Sequence, residues 1–138
     1  PSTGARYIDY CPKGWSYYKF SCFKYFSQPQ SWDEAERQCQ ASHAGAHLAW
    51  VDEPREMATL QQAITYYQRV QPVWLGLRYR HKIQAWQWVS GNNYSASSSG
   101  LAGNGAQEGS CSVLSHLSGF TLWTSTHCTQ KHQFICKF

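Results

Sequence analysis

The densest concentration of chemistry in the sequence is the run Arg78-Tyr79-Arg80-His81-Lys82. On an extended strand, alternation places Arg78, Arg80 and Lys82 on one side. Such a row suits sulfate, carboxylate or phosphate groups, because each arginine offers a forked set of donors and lysine a point charge. The same row on an exposed strand would also discourage strand-to-strand aggregation. Both roles remain open from the sequence. Asn93-Tyr94-Ser95 is an N-glycosylation sequon. It opens a polar stretch, so Asn93 is expected to be accessible, whether or not the sequon is used.

Cysteine supplies a second kind of chemistry. The six cysteines fall at 11, 22, 39, 111, 128 and 136, with no Cys-x-x-Cys pair. That spacing argues against a thioredoxin-like or zinc-ribbon site. An even number in a short chain points to disulfides formed in an oxidising compartment. The residues themselves leave many connectivities open. None of the histidines at 43, 47, 81, 116, 127 and 132 forms a His-x-x-x-His pair on an expected helix, so no metal site is expected. There is no Gly-x-Ser-x-Gly elbow, no HExxH and no paired carboxylates in a plausible cleft. The Gly103-x-Gly105 pair lies in a serine-rich stretch, not between a strand and a helix. The chain reads as non-catalytic, without cofactor or nucleic-acid-binding motif.

Charge narrows the partners further. The chain carries a net charge of +4, and from Met57 onward Glu108 is the single acidic residue against Arg69, Arg78, Arg80, Lys82, Lys131 and Lys137. Calcium binding needs several oxygen ligands, usually with carboxylates among them, and this half of the chain can hardly supply them. Apolar residues make up 42% and charged residues 14% of 138 residues, enough for one packed domain. No apolar run approaches a membrane span. Pro1 is read as a mature N-terminus left after signal-peptide removal, and the protein as secreted and extracellular.

The elements that must position these residues follow from pattern. Residues 1–10 are a polar lead-in, and 11–138 form the domain. Cys11 to Phe26 reads as two short strands. Ser31 to Ser42 reads as a helix, with Ser31 as N-cap, Glu34 completing a capping box, and Trp32, Ala35 and Cys39 on one face. A strand is expected over 47–51. A second helix is expected from Pro54 to about Gln68, with Met57, Leu60, Ile64 and Tyr67 inward. Strands follow at 73–77, 85–89, 111–114, 122–123 and 133–137. Residues 90–110 are rich in Gly, Ser and Asn and read as a loop without strand or helix, functional or mobile. Aromatics reach 16%, more than a small core hides, so some rings are expected at the surface, where they can stack on sugars or partners.

Several of these segments, in order, resemble the C-type lectin domain. Val73-Trp74-Leu75-Gly76-Leu77 is similar to its central tryptophan–glycine strand. Trp86 and Trp88 with Gly91, Trp123 with Cys128, and Phe134-Ile135-Cys136 resemble the motifs that follow, and the Cys11/Cys22 pair marks the long form. The run 66–74 is similar to Reg (lithostathine) proteins. Cys11-Pro12-Lys13-Gly14-Trp15 and Ala44 to Ala49 also resemble avian eggshell-matrix proteins of the ovocleidin and ansocalcin type. The resemblance implies an α+β fold with two helices, two small antiparallel sheets and a long irregular loop. It also implies the pairing Cys11–Cys22, Cys39–Cys136 and Cys111–Cys128, and core positions for Trp15, Trp32, Trp74, Trp86, Trp88 and Trp123.

The chain departs from the family where calcium would bind. Calcium-dependent relatives carry Trp-x-x-Gly-Glu-Pro-Asn or Gln-Pro-Asp in the long loop. Aligned on Gly100, this chain has Ser97 and Leu101-Ala102-Gly103, and it has Trp123-Thr124-Ser125 where relatives have Trp-Asn-Asp. The expectation is calcium-independent binding of glycans or anionic polysaccharide. The alternatives are a structural role at a mineral or matrix surface, and a protein-binding module.

Overall fold

The computed structural model describes residues 11–18, 21–51, 54–67, 70–95, 102–103 and 109–138. The lead-in 1–10, with Arg69 and Glu108, lies outside the described residues. So do Ser97, Gly100 and Leu101 of the long loop.

Strands β1 (Ser16–Tyr18) and β2 (Ser21–Gln30) form a hairpin, and helix α1 (Trp32–Ser42) follows. Ser31 caps α1 with both halves of a capping box, and its bonds hold the Glu34 carboxyl below the usual carboxylate range. Trp32, Ala35 and Cys39 are the buried face of α1, as its spacing dictates. Next come β3 (His47–Leu48), helix α2 (Pro54–Tyr67), β4 (Val73–Arg80) and β5 (Ala85–Trp88). The chain closes with β6 (Ala102–Gly103), β7 (Cys111–Leu114), a 3-10 turn at His116–Ser118, β8 (Leu122–Thr126) and β9 (His132–Lys137).

The strands make two antiparallel ladders. One joins β1, β2, β9 and β3; the other joins β5, β4, β7 and β8. A short parallel pairing of Val73 and Trp74 in β4 with Gln133 and Phe134 in β9 unites them into one mixed sheet. Three bridges staple the arrangement: Cys11–Cys22, Cys39–Cys136 and Cys111–Cys128, with Cα separations of 5.6, 5.4 and 5.1 Å. The Cys39–Cys136 bridge ties α1 to β9 beneath buried Trp74 and Phe134.

Three expectations need correction. The strand expected at 47–51 ends at Leu48: the Ala49 N–H still donates to the Ile135 carbonyl of β9 at 3.0 Å, but the Ala49 carbonyl accepts from the Gly76 N–H of β4 at 2.8 Å. Residues 90–110 are not free of strand: Ala102 and Gly103 pair in parallel with Leu122 and Trp123. Finally, β4 ends at Arg80 and residues 81–84 form a turn, so the alternation that would align Lys82 with Arg78 and Arg80 stops short of it.

Candidate functional site: a groove between helix α1 and the β4–β5 hairpin

The hairpin sorts its side chains by parity. Leu77 lies opposite Trp88 and Tyr79 opposite Trp86; Leu77 and Trp88 are buried in the core, with Trp86 packed against them. Trp86 in turn stands 4.7 Å from the Trp123 ring. On the other face Arg78 lies opposite Gln87 and Arg80 opposite Ala85. That face looks across to α1, and the space between is a groove of about 540 Å³ lined by Asp33, Arg37, Gln40, Arg78, Arg80 and Gln87, among others.

The groove floor is set by Trp32. Its indole N–H donates to the Leu75 carbonyl at 2.9 Å, pinning the first turn of α1 to β4. The Arg78 guanidinium stands 5.1 Å over the same ring, a cation–π contact. Arg78 Nη1 also donates to Asp33 Oδ1 at 3.0 Å, with both side chains partly open to solvent. Deeper in α1, Glu36 accepts from the Leu48 N–H at 2.8 Å and meets His47 Nδ1 at 2.5 Å. Gln40 donates to the same carboxylate at 2.8 Å. The acids of the groove are thus engaged. Arg37 and Arg80 are exposed, and neither takes part in a salt bridge among the described residues.

The structure separates the run read as one strip. Arg78 and Arg80 share the groove. Tyr79 faces the opposite way, edge-on to Trp86 at 5.7 Å. His81 Nε2 lies 3.3 Å from the Ser110 hydroxyl, and Lys82 is exposed in the turn. Asn93 is exposed and bridges backbone-to-backbone with Gln87. Of the expected core tryptophans, Trp32, Trp74, Trp88 and Trp123 are buried, while Trp15 and Trp86 are half-buried.

Sequence reasoning missed the α1 side of the groove. Asp33, Arg37 and Gln40 carry no local signal of a site, since on a helix they read as an ordinary solvated face. Elsewhere, Thr124 and Ser125 sit on β8 opposite Val113 and Ser112, and Ser125 is buried. Beside them on the same strand, Leu122 and Trp123 pair with Ala102 and Gly103.

The lectin C-type domain family matches this chain over residues 28–138. The chain belongs to that family. Regenerating islet-derived protein 4 of Homo sapiens is 37% identical over 131 residues, a match spanning 93% of this chain and 80% of the relative. Human lithostathine superposes with a TM-score of 0.79 at 29% identity, covering 93% of this chain and 98% of that one. Ovocleidin-17, a major protein of the Gallus gallus eggshell calcified layer, superposes with a TM-score of 0.78 at 26% identity, covering 92% and 97%. The C-type lectin fold is therefore shared, and Reg proteins and ovocleidin are among the relatives that the chain resembles.

Proposed function

We propose that this is a secreted, non-catalytic recognition protein that binds anionic glycans without calcium, through the groove between α1 and the β4–β5 hairpin. The observation that carries the reading is the convergence of Arg78 and Arg80 from β4 with Arg37 from α1 on one groove whose acids already have partners. Two of these guanidiniums stand without an ion pair among the described residues, ready to donate to sulfate or carboxylate oxygens. Amides from Gln40 and Gln87 line the same space and suit sugar hydroxyls. Independence from calcium rests on donor chemistry. Where relatives have Glu-Pro-Asn and Asn-Asp, this chain has Leu101-Ala102-Gly103 and Thr124-Ser125, a set that does not fit a calcium ion. Secretion rests on the disulfides. The exposed Asn93 sequon suits N-glycosylation.

The test is heparin and mannan binding across a salt series, with and without EDTA. Heparin binding should fall steeply with salt, since exposed charges are screened over about 8 Å at physiological ionic strength. It should ignore the chelator and weaken in the Arg37→Ala/Arg80→Ala variant. Equal binding of mannan, with shallow salt dependence and no response to that variant, overturns the reading. The likeness to ovocleidin-17 favours one alternative, adsorption of the same cationic face to mineral or matrix anions. Retention on calcium carbonate without glycan binding selects it.

A further inference from the structure

Asp33 Oδ1 accepts from Arg78 Nη1 at 3.0 Å within the groove, the kind of bond that an anionic ligand would make there. Resting on the anionic-glycan reading above, we infer that Asp33 is a specificity-determining residue: an internal carboxylate that a ligand must displace, which turns the groove toward sulfated sugars over those bearing carboxylates alone.

The contact has the features of an exchangeable one. It is a single bond from Nη1 to Oδ1 at 3.0 Å, so the other donors of the guanidinium are not used on Asp33. The two side chains are 34% and 56% exposed, and an exposed pair of this kind adds little to stability. Arg78 does not depend on Asp33 for its position, because its guanidinium also rests on the Trp32 ring and that ring is fixed by its bond to the Leu75 carbonyl. When Asp33 swings away, the cation stays preorganised over the ring.

Geometry then favours one ligand class. Asp33 is tethered to α1 and pairs with Arg78, whereas Arg80 has no ion pair among the described residues. Arg78 and Arg80 are two apart on one strand face, roughly 7 Å between α-carbons. A ligand that offers one planar carboxylate exchanges like for like at Arg78. A sulfate ester, with oxygens directed tetrahedrally, replaces the Asp33 contact and reaches toward Arg80 as well. The sulfate ester thus gains a second cation in the exchange, whereas a single carboxylate gains none.

The experiment compares wild type, Asp33→Asn, Arg78→Ala and the double variant. The probes are heparin and an unsulfated polyuronate, polygalacturonate, at fixed salt. Asp33→Asn should strengthen polygalacturonate binding by about two- to five-fold, the range that an exposed ion pair is worth. Heparin should gain less, and both gains should vanish in the Arg78→Ala background. A gain of the same size with and without Arg78 would mean a general charge effect and overturns the inference, as does no gain in Asp33→Asn when wild type binds heparin. That last result leaves the anionic-glycan reading standing. If neither wild type nor Asp33→Asn binds either probe, the reading itself fails, and the role of Asp33 with it.

Discussion

Gly76 lies so close to the Leu48 carbonyl that a β-carbon on it would stand 2.5 Å from the oxygen. The same atom would stand 2.9 Å from a Val89 methyl and 3.0 Å from the Ala49 oxygen. Gly76 is where β3, β4 and the residue after β5 meet: its N–H donates to Ala49 and its carbonyl accepts from Val89 at 2.9 Å. Two of the obstructing atoms are backbone, which cannot rotate aside. Gly76→Ala is therefore expected to cost about 1–3 kcal/mol by overpacking, read as a lower midpoint in urea at unchanged slope. A neutral substitution would show that β3 can shift away from β4.

His132 should give the fold a one-sided pH dependence. Its ring stands edge-on to Trp74 at 4.8 Å, and Nε2 donates to Gln130 Oε1 at 3.0 Å. Burial lowers its pKa below the ordinary 6.5. As pH falls through 6.5, the unfolded chain takes up this proton before the folded one does. Stability then declines with falling pH until the folded-state pKa is passed, and levels off beneath it. Melting temperatures of wild type and His132→Gln between about pH 5 and 7.5 should diverge in slope, the variant being flatter. Parallel slopes would show that His132 titrates alike in both states.

The bridges should differ in worth according to the loops they close. Cys39–Cys136 spans 97 residues and Cys11–Cys22 spans 11. The chain-entropy relation gives about 4.7 and about 2.8 kcal/mol respectively. Paired Cys→Ala variants, compared by denaturation, should preserve that order. Non-reducing digestion with mass spectrometry should recover all three pairs, and a free thiol in the native protein would contradict the pairing.

Lys82 and Arg80 are two residues apart but differ in place. Arg80 lines the groove, whereas Lys82 lies in the turn beyond it. Arg80→Ala should weaken heparin binding more than Lys82→Ala at equal loss of charge, with both stabilities within about 0.5 kcal/mol of wild type. Equal effects would mean that the ligand reads net charge and not the groove.

These residues also show what a sequence reveals of its fold. Helix α1 was legible because its signals are local: Ser31 and Glu34 cap each other within one turn, and Trp32, Ala35 and Cys39 repeat at helical spacing. The central strand was legible through its tryptophan–glycine pattern. The Asp33–Arg78 contact spans 45 positions, and no periodicity reports a pairing at that range. Lys82 was misplaced because the turn at 81–84 contains neither glycine nor proline. Gln84 takes the left-handed conformation there, with φ of 52°, so alternation seemed to continue. The β6 strand is two residues long, too short for a pattern to exist.

The division of the β4–β5 hairpin into two faces has an evolutionary consequence. Leu77 answers to the core and Trp88 to both core and groove, whereas Arg78, Arg80 and Gln87 answer to the groove, although the two sets alternate along the same strands. A lineage can replace the second set codon by codon while the first stays under the constraint of folding. Recognition on such a hairpin can drift or be reselected without passing through unfolded ancestors, and descendants of one scaffold can come to prefer sulfated, neutral or protein ligands. At Gly76 a β-carbon would meet the Leu48 and Ala49 carbonyl oxygens, so that position answers to folding alone.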